Sequence, residues 1–243
     1  MKKIVLLSCL ILTGIFTFAQ DSTKTVSIKN KKANLAGRAN DHFLLQVGLT
    51  NWVGRTDSMH TKGLSRSFNM YFMFDFPFKS NPHLSLGIGV GIGTDNIYFN
   101  KMNIGIKETT GYIQFQDLSD TTHFKKYKLA TADLEAPLEL RYSSHPETPN
   151  KSVKAAIGIK AGILLNAHTK GKIWQSSTGT TLIAYTEKET SKRFFNSDRF
   201  EATARIGYGV FSLFGTYQLN VLFKEGLGPS VRPFTAGITI SGL

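Results

Sequence analysis

Nine charged residues recur at alternate positions inside runs that are otherwise apolar or small: Asp75, Asp133, Glu135, Glu139, Arg141, Lys154, Lys160, Glu201 and Arg205. Carboxylates interleaved with lysines and arginines can serve acid–base chemistry, a proton relay or plain charge pairing, and the choice depends on where the chain holds them. The stretch ATADLEAPLELRY, Ala130 to Tyr142, poses the problem most sharply. It sets Asp133, Glu135, Glu139 and Arg141 on one parity and Leu134, Ala136, Leu138, Leu140 and Tyr142 on the other.

Other chemistry-bearing groups are sparse. His42, His60, His83, His123, His145 and His168 fall in expected loops or strand ends, and none forms HExxH or another metal-ligand spacing. GIGVGIG, Gly87 to Gly93, is regular alternation with no helix after it, so it is not a phosphate loop. The sequence therefore assigns no catalytic residue, no cofactor and no metal ligand. A Ser–His pair at a loop rim acting on lipid stays open as a minor alternative.

The elements that position the charges have period two. Phe43, Leu45, Val47 and Leu49 share one face; so do Phe68, Met70, Phe72, Phe74, Phe76 and Phe78; so do Leu84, Leu86, Ile88, Val90 and Ile92. Opposite the third row stand Gly87, Gly89, Gly91 and Gly93, which would be costly inside a helix but make room on one side of a strand. Further runs cover Val153 to Leu165, Arg199 to Ile206, Phe211 to Leu222 and Phe234 to Ile240, which with the opening stretch makes eight. The apolar face of their central parts carries no Asp, Glu, Lys or Arg, while the other face is mostly Gly, Ala, Ser and Thr together with the nine charges.

A soluble sandwich permits such alternation, but small residues cover poorly against water and fit the crowded inside of a narrow barrel. A Lys or Arg on the lipid face of a barrel costs roughly 2–4 kcal/mol at mid-membrane, which accounts for the uncharged side. Connection lengths agree: 53–66, 94–126 and 167–198 are long, whereas 79–83, 143–151 and 207–210 are short, with 224–233 intermediate. That order fits an eight-stranded antiparallel up-and-down transmembrane β-barrel with both termini on the periplasmic side of an outer membrane. GYIQF at 111–115 and TTLIAYT at 180–186 are candidate hairpin extensions within the long loops.

The N-terminus reads as a secretory signal over residues 1–19: Lys2 and Lys3, an apolar run from Ile4, and cleavage after Ala19. Removal lowers the formal charge from +12 to +10, since two lysines leave and the 17 acids stay, and it removes Cys9, the single cysteine. Residues 20–40 read as a flexible polar periplasmic lead-in and 41–243 as the barrel. A basic exported chain without a nucleic-acid module points to anionic surfaces, not to nucleic acid.

An eight-stranded barrel is filled by its own side chains. The nine charges are expected inside it as a closed network of ion pairs, with Glu139 and Lys154 able to meet across the hairpin at 143–151; a proton or ion path is the alternative. Trp52, Tyr71, Phe78, Tyr98, Phe99, Tyr142, Tyr208, Tyr217, Phe223 and Phe234 are candidates for interfacial aromatic girdles.

With GIGVGIGTDNIYFN (87–100), LEAPLELRY (134–142), the glycine-bearing strand at 156–165, GYGVFSLFGTYQLNVLF (207–223) and the final strand with Gly237, the chain resembles the PorT-like outer-membrane β-barrel proteins of Bacteroidota. The resemblance spans about residues 41–243 and implies an eight-stranded outer-membrane barrel, in some members linked to type IX secretion. It carries no catalytic residue onto this chain. The expected role is a non-enzymatic structural or accessory subunit of an outer-membrane secretion or protein-assembly complex. Its expected partners are outer-membrane lipid and lipopolysaccharide, with other outer-membrane or periplasmic proteins as further candidates. A standalone barrel binding or passing small ligands through its long loops, or a lipid-modifying barrel enzyme, are the alternatives.

Overall fold

The computed structural model describes residues 43–57, 59–62 and 64–241. The expected signal segment and lead-in, and His42, lie outside them. Among the described residues eleven strands occur: β1 (Phe43–Val53), β2 (Arg66–Pro77), β3 (Leu84–Phe99), β4 (Met102–Ile104), β5 (Phe115–Asp117), β6 (His123–Ser143), β7 (Val153–Gln175), β8 (Thr181–Thr190), β9 (Asp198–Tyr208), β10 (Phe211–Gln218) and β11 (Arg232–Ser241).

Eight of them close into a ring. The order β6-β3-β2-β1-β11-β10-β9-β7 returns to its start because β6 also pairs with β7, and every pairing is antiparallel. A closed ring leaves no strand edge to satisfy in hydrocarbon. β8 is an extra strand on the far end of β7, and β4 pairs with β5 outside the ring.

Alternation decides which side faces out. On β2, Phe68, Met70, Phe72, Phe74 and Phe76 are exposed to the surroundings while Ser67, Asn69, Tyr71 and Met73 are buried. The same holds on β7, β9 and β10, where Ile157, Ile206 and Leu213 are 62–64% exposed. So many large apolar side chains facing out around a polar inside is inverted relative to a water-soluble fold, and hydrocarbon is the solvent that makes it stable.

The inner glycines of β3 answer to their neighbours. A Cβ at Gly87 would meet the Arg141 guanidinium at 2.5 Å, and one at Gly91 would run into the Met70 carbonyl and the Tyr71 ring. β3 thus lies flush where bulky side chains from β2 and β6 occupy the lumen.

Three differences from the sequence reading have physical causes. β6 and β7 run well past the expected ends at Ala130 and Leu165, forming with β8 a ribbon that rises beyond the ring. On β7 the register shifts opposite Ala132/Asp133, where Asp133 faces Leu164 and Ala132 faces Asn166. This bulge inverts the parity of the strand beyond Leu165, so a strict two-residue count stops there. Finally, GYIQF supplies only the first residue of β5, which pairs with β4 instead of extending the barrel.

Candidate functional site

Inside the ring the charges sort into two layers. Near the short 143–151 connection, Glu139 accepts from Arg141 Nε at 3.0 Å and from Arg205 Nη2 at 2.7 Å, and Arg141 Nη1 lies 3.6 Å from Asp75. Ser85 donates to the same Asp75 at 2.6 Å. Above this, Lys160 Nζ sits 2.5 Å from Glu201 and 3.3 Å from Glu135. Tyr71 donates its hydroxyl to Glu135 at 2.5 Å and accepts from Lys160 at 3.1 Å.

The centre of the upper layer is Arg199. It reaches Asp95 at 2.6 Å, Asp133 at 2.9 Å and Glu201 at 2.6 Å, with Glu135 at 3.9 Å. All these side chains are buried, and buried charge is tolerable only when paired and hydrogen-bonded in this fashion. A neutral ladder completes the lining on the opposite wall: Ser67 donates to Asn69, Asn69 to Gln46 and Gln46 to Thr239, at 3.1–3.3 Å.

The local reason for the convergence is register. β6 places Glu139 opposite Gly87 and Gly158, Glu135 opposite Gly91 and Gly162, and Asp133 opposite Gly93. Glu135 and Glu139 are thus flanked on both sides by glycine, and Asp133 by glycine on the β3 side, with Leu164 beside it on β7. β9, on the far side of β7 from β6, then delivers Arg199, Glu201 and Arg205.

Eight of the nine sequence-selected residues meet in these contacts: Asp75, Asp133, Glu135, Glu139, Arg141, Lys160, Glu201 and Arg205. Lys154 lies lower. It lines, with Asp75, Arg141 and Arg205, a cavity of about 40 Å³ at the short-turn end, the volume of a few water molecules. Glu139 is placed opposite Gly158, four positions up the strand from Lys154, and its carboxylate is taken by the two arginines.

Arg199 and Asp95 were absent from the sequence selection, although Arg199 shares the parity of Glu201 and Asp95 that of Gly93. Asp95 falls just beyond the expected limit of its strand, and Arg199 is the first residue of its run. His168 stands within β7 and not in a loop.

A second filling lies toward the long-loop end, and it is apolar. Trp52, Ile97, Phe99, Leu129, Leu164 and Ala167 on the upper inner wall pack against Met102, Ile104, Ile106, Ile113, Phe194, Phe195, Phe223 and Val231 from the connections. Trp52 stands edge-on to Phe99 and Phe223 at 5.6 and 5.9 Å. This overturns part of the girdle expectation: Trp52, Phe99 and Phe223 are core residues of the cap and Tyr71 belongs to the charge network. Tyr142, Tyr208 and Phe234 do face outward. The loops fold into the mouth because their isoleucines and phenylalanines have nowhere else to be dry.

Among the described residues no group of three or more His, Cys, Asp or Glu is placed to hold a metal ion, and no helix is long and apolar enough to cross a membrane, which says nothing of strands.

Comparison with known proteins agrees with the architecture. No curated protein sequence matches the chain. Among solved structures, it is similar to the crystal structure of Ail, the attachment invasion locus protein of Yersinia pestis, at 12% identity and TM-score 0.36, covering 82% of this chain and 94% of that one. The structure of Ail in complex with the heparin analogue sucrose octasulfate is similar at 11% identity and TM-score 0.34, with the same coverage. The model of the outer membrane protein beta-barrel domain matches residues 18–232, and a closed ring of strands with an apolar outside accords with that description. The chain belongs to the outer membrane protein beta-barrel domain family.

Proposed function

We propose that this barrel conducts nothing and catalyses nothing, and that it serves as a structural or accessory subunit of an outer-membrane secretion or protein-assembly complex, as its resemblance to PorT-like proteins of Bacteroidota implies. In this reading the nine sequence-selected charges, joined by Arg199 and Asp95, act as a plug, and both ends of the barrel domain lie in the periplasm. The observation that carries the reading is the double filling of the lumen. Paired charges occupy the middle, and the apolar cap over them is built from the same long connections that a loop-based binder would leave free. A plugged barrel has its outer wall left to work with. On β2 that wall is a row of Phe68, Met70, Phe72, Phe74 and Phe76, with Phe72 and Phe74 edge to face at 5.1 Å. Such a row suits lipid, and it also suits the wall of a neighbouring membrane protein.

The partners in this reading are the lipid and lipopolysaccharide of the outer membrane and a further outer-membrane or periplasmic protein. The test joins two measurements. In planar bilayers the purified barrel should show no steady conductance, and gentle solubilisation of native membranes should recover it with a stoichiometric companion that Phe72→Ala/Phe74→Ala releases. Steady conductance refutes the plug, and recovery as a lone barrel refutes the subunit role.

A further inference from the structure

The ribbon formed by the far ends of β6, β7 and β8 separates its charges by face. Lys126 lies opposite Lys172, and Lys128 opposite Lys170, which in turn lies opposite Lys188. Like charges directly across a ladder are destabilising, so this ribbon has placed four such lysines in two abutting pairs, and a fifth beside them, against its own stability. His168 joins them from the next outward position on β7, and Tyr98 flanks Lys128 on β3. Among the described residues of these strands no Asp or Glu shares that face: the outward positions of β8 over this stretch are Thr186, Lys188 and Thr190, whereas Glu187 and Glu189 turn to the other side beside Tyr127 and Thr169.

The lysines are also partly ordered. Tyr98, Lys126, Tyr127, Lys128, Lys170 and Lys172 line a groove of about 280 Å³, and Lys128 Nζ donates to Asn96 at 2.5 Å. Burial, followed by Lys170, Lys172 and Lys188, holds the Lys128 amine below its ordinary range, so the cluster feels its own repulsion.

Position identifies what would relieve it. The same outward face continues downward into the lipid-facing rows that end at Ile92, Leu134 and, at the bulge on β7, Leu165. Six residues of strand separate Leu134 from Lys128. At about 3.4 Å per residue and a tilt near 40°, that is a height of roughly 15 Å above the apolar edge. The polar zone of a phospholipid leaflet is only about 6 Å deep, so phosphodiester headgroups stop short even of a lysine reaching down. A lipid whose acidic groups stand on a sugar headgroup reaches this level.

From this placement we propose that the Lys126, Lys128, Lys170, Lys172 and Lys188 face is a binding site for the phosphorylated sugar headgroup of an outer-leaflet glycolipid, held against the barrel wall with its acyl chains along the rows below. This names the site for the lipopolysaccharide contact proposed above. It rests on that reading only for which leaflet the ribbon enters.

The full-length protein, folded into nanodiscs of uncharged phosphatidylcholine, is titrated with a fluorescent bisphosphorylated lipid A. Saturable, salt-sensitive binding is expected. Lys128→Gln/Lys170→Gln/Lys172→Gln should weaken it on the order of a hundredfold, with each lysine near a charged surface contributing about a factor of five. Lys128→Arg/Lys170→Arg/Lys172→Arg should keep it. Heat-dependent gel mobility identifies variants that have folded, and these substitutions lie on the ribbon beyond the ring.

Unchanged affinity in the folded glutamine variant overturns the site. Equal binding of a dephosphorylated lipid A overturns the phosphate requirement. Competition by inorganic pyrophosphate at the same concentration as the lipid would show a free-anion site and overturn the lipid assignment. Because nanodiscs present both faces of the barrel, failure here leaves the conductance and companion results untouched.

Discussion

Arg199→Leu is the sharpest probe of the plugged interior. The guanidinium makes three carboxylate contacts within 2.9 Å and a fourth at 3.9 Å, with its side chain 10% exposed. Leucine is of tolerable volume but leaves Asp95 and Asp133 without this cation, while Glu135 and Glu201 must share Lys160. Removing one partner from a buried ionic group costs about 3–5 kcal/mol, most of it from stranding the charges left behind. With a urea dependence of about 2 kcal/mol per molar, the unfolding midpoint should fall by roughly 2 M. The measurement is equilibrium unfolding in phospholipid vesicles, followed by gel mobility and by emission from Trp52 and Trp174. Adding Asp95→Asn and Asp133→Asn to Arg199→Leu should restore about half of the loss, since the stranded carboxylates are then gone. Arg66→Leu on the outward face of β2, exposed and outside the network, should shift stability by no more than about 0.5 kcal/mol. If Arg199→Leu lost less than about 1 kcal/mol, or if the asparagines brought no recovery, the carboxylates would be reaching bulk water and the reasoning would fail.

Other perturbations probe the remaining layers. Ile157→Lys puts a charge on the outward face of β7 and should cost roughly 2–4 kcal/mol in the same unfolding assay, with the loss shrinking for a lysine nearer either interface. Gly91→Ala drives a methyl into the Met70 carbonyl and should cost about 1–3 kcal/mol, whereas Gly111→Ala, with nothing within 4 Å, should be near neutral. Phe195→Ala empties a fully buried position in the cap, should cost about 3–5 kcal/mol, and should raise the frequency of brief conductance events in planar bilayers. His168, above the apolar rows, is held below its ordinary range by burial and then by Lys188, Lys128 and Lys170. A histidine lowered in the folded state is protonated more readily when unfolded, so its contribution to stability declines as pH falls from about 6.5 to its folded value and is level below that. Lys188→Gln should raise the His168 titration seen in ring-proton NMR; no movement would mean the lysines do not reach it.

The ring itself was legible because lipid enforces a strict rule on side chains: every outward position in rows such as Phe68 to Phe76 or Leu84 to Ile92 must be apolar, which leaves period two undiluted. The charges were legible for the complementary reason that they break the small-residue inner face. Asp95 is hidden because hydrophobicity fades at Gly93 though the ladder runs on, and Arg199 because it opens its run, where apolar alternation has only begun to fix a face. Carrying parity forward would have placed both inside, and Trp52, Tyr71 and Phe99 with them. The bulge beside Leu165 has no such cue, since it depends on the pairing between β6 and β7 and not on either strand alone. The cap was hidden for another reason. Ile106, Ile113, Phe194 and Phe195 come from connections of irregular backbone, and Ile104 from a three-residue strand, where apolar residues carry no readable period. The adjacent Phe194 and Phe195, in a segment otherwise full of Lys, Arg, Ser and Asn, were the one local sign of a buried anchor.

The seam between β1 and β11 runs through ten consecutive partners, from Leu44 with Ser241 to Val53 with Arg232. Its two sides are among the first and last stretches of the described chain to leave a ribosome. Until the final ten-residue stave arrives, the half-built cylinder exposes two raw flanks of unmet amides, which no bilayer tolerates. Biogenesis must therefore shelter an open sheet until its latest-made segment finds its earliest. A nascent chain halted before Arg232 would be a natural client for whatever machinery holds such intermediates.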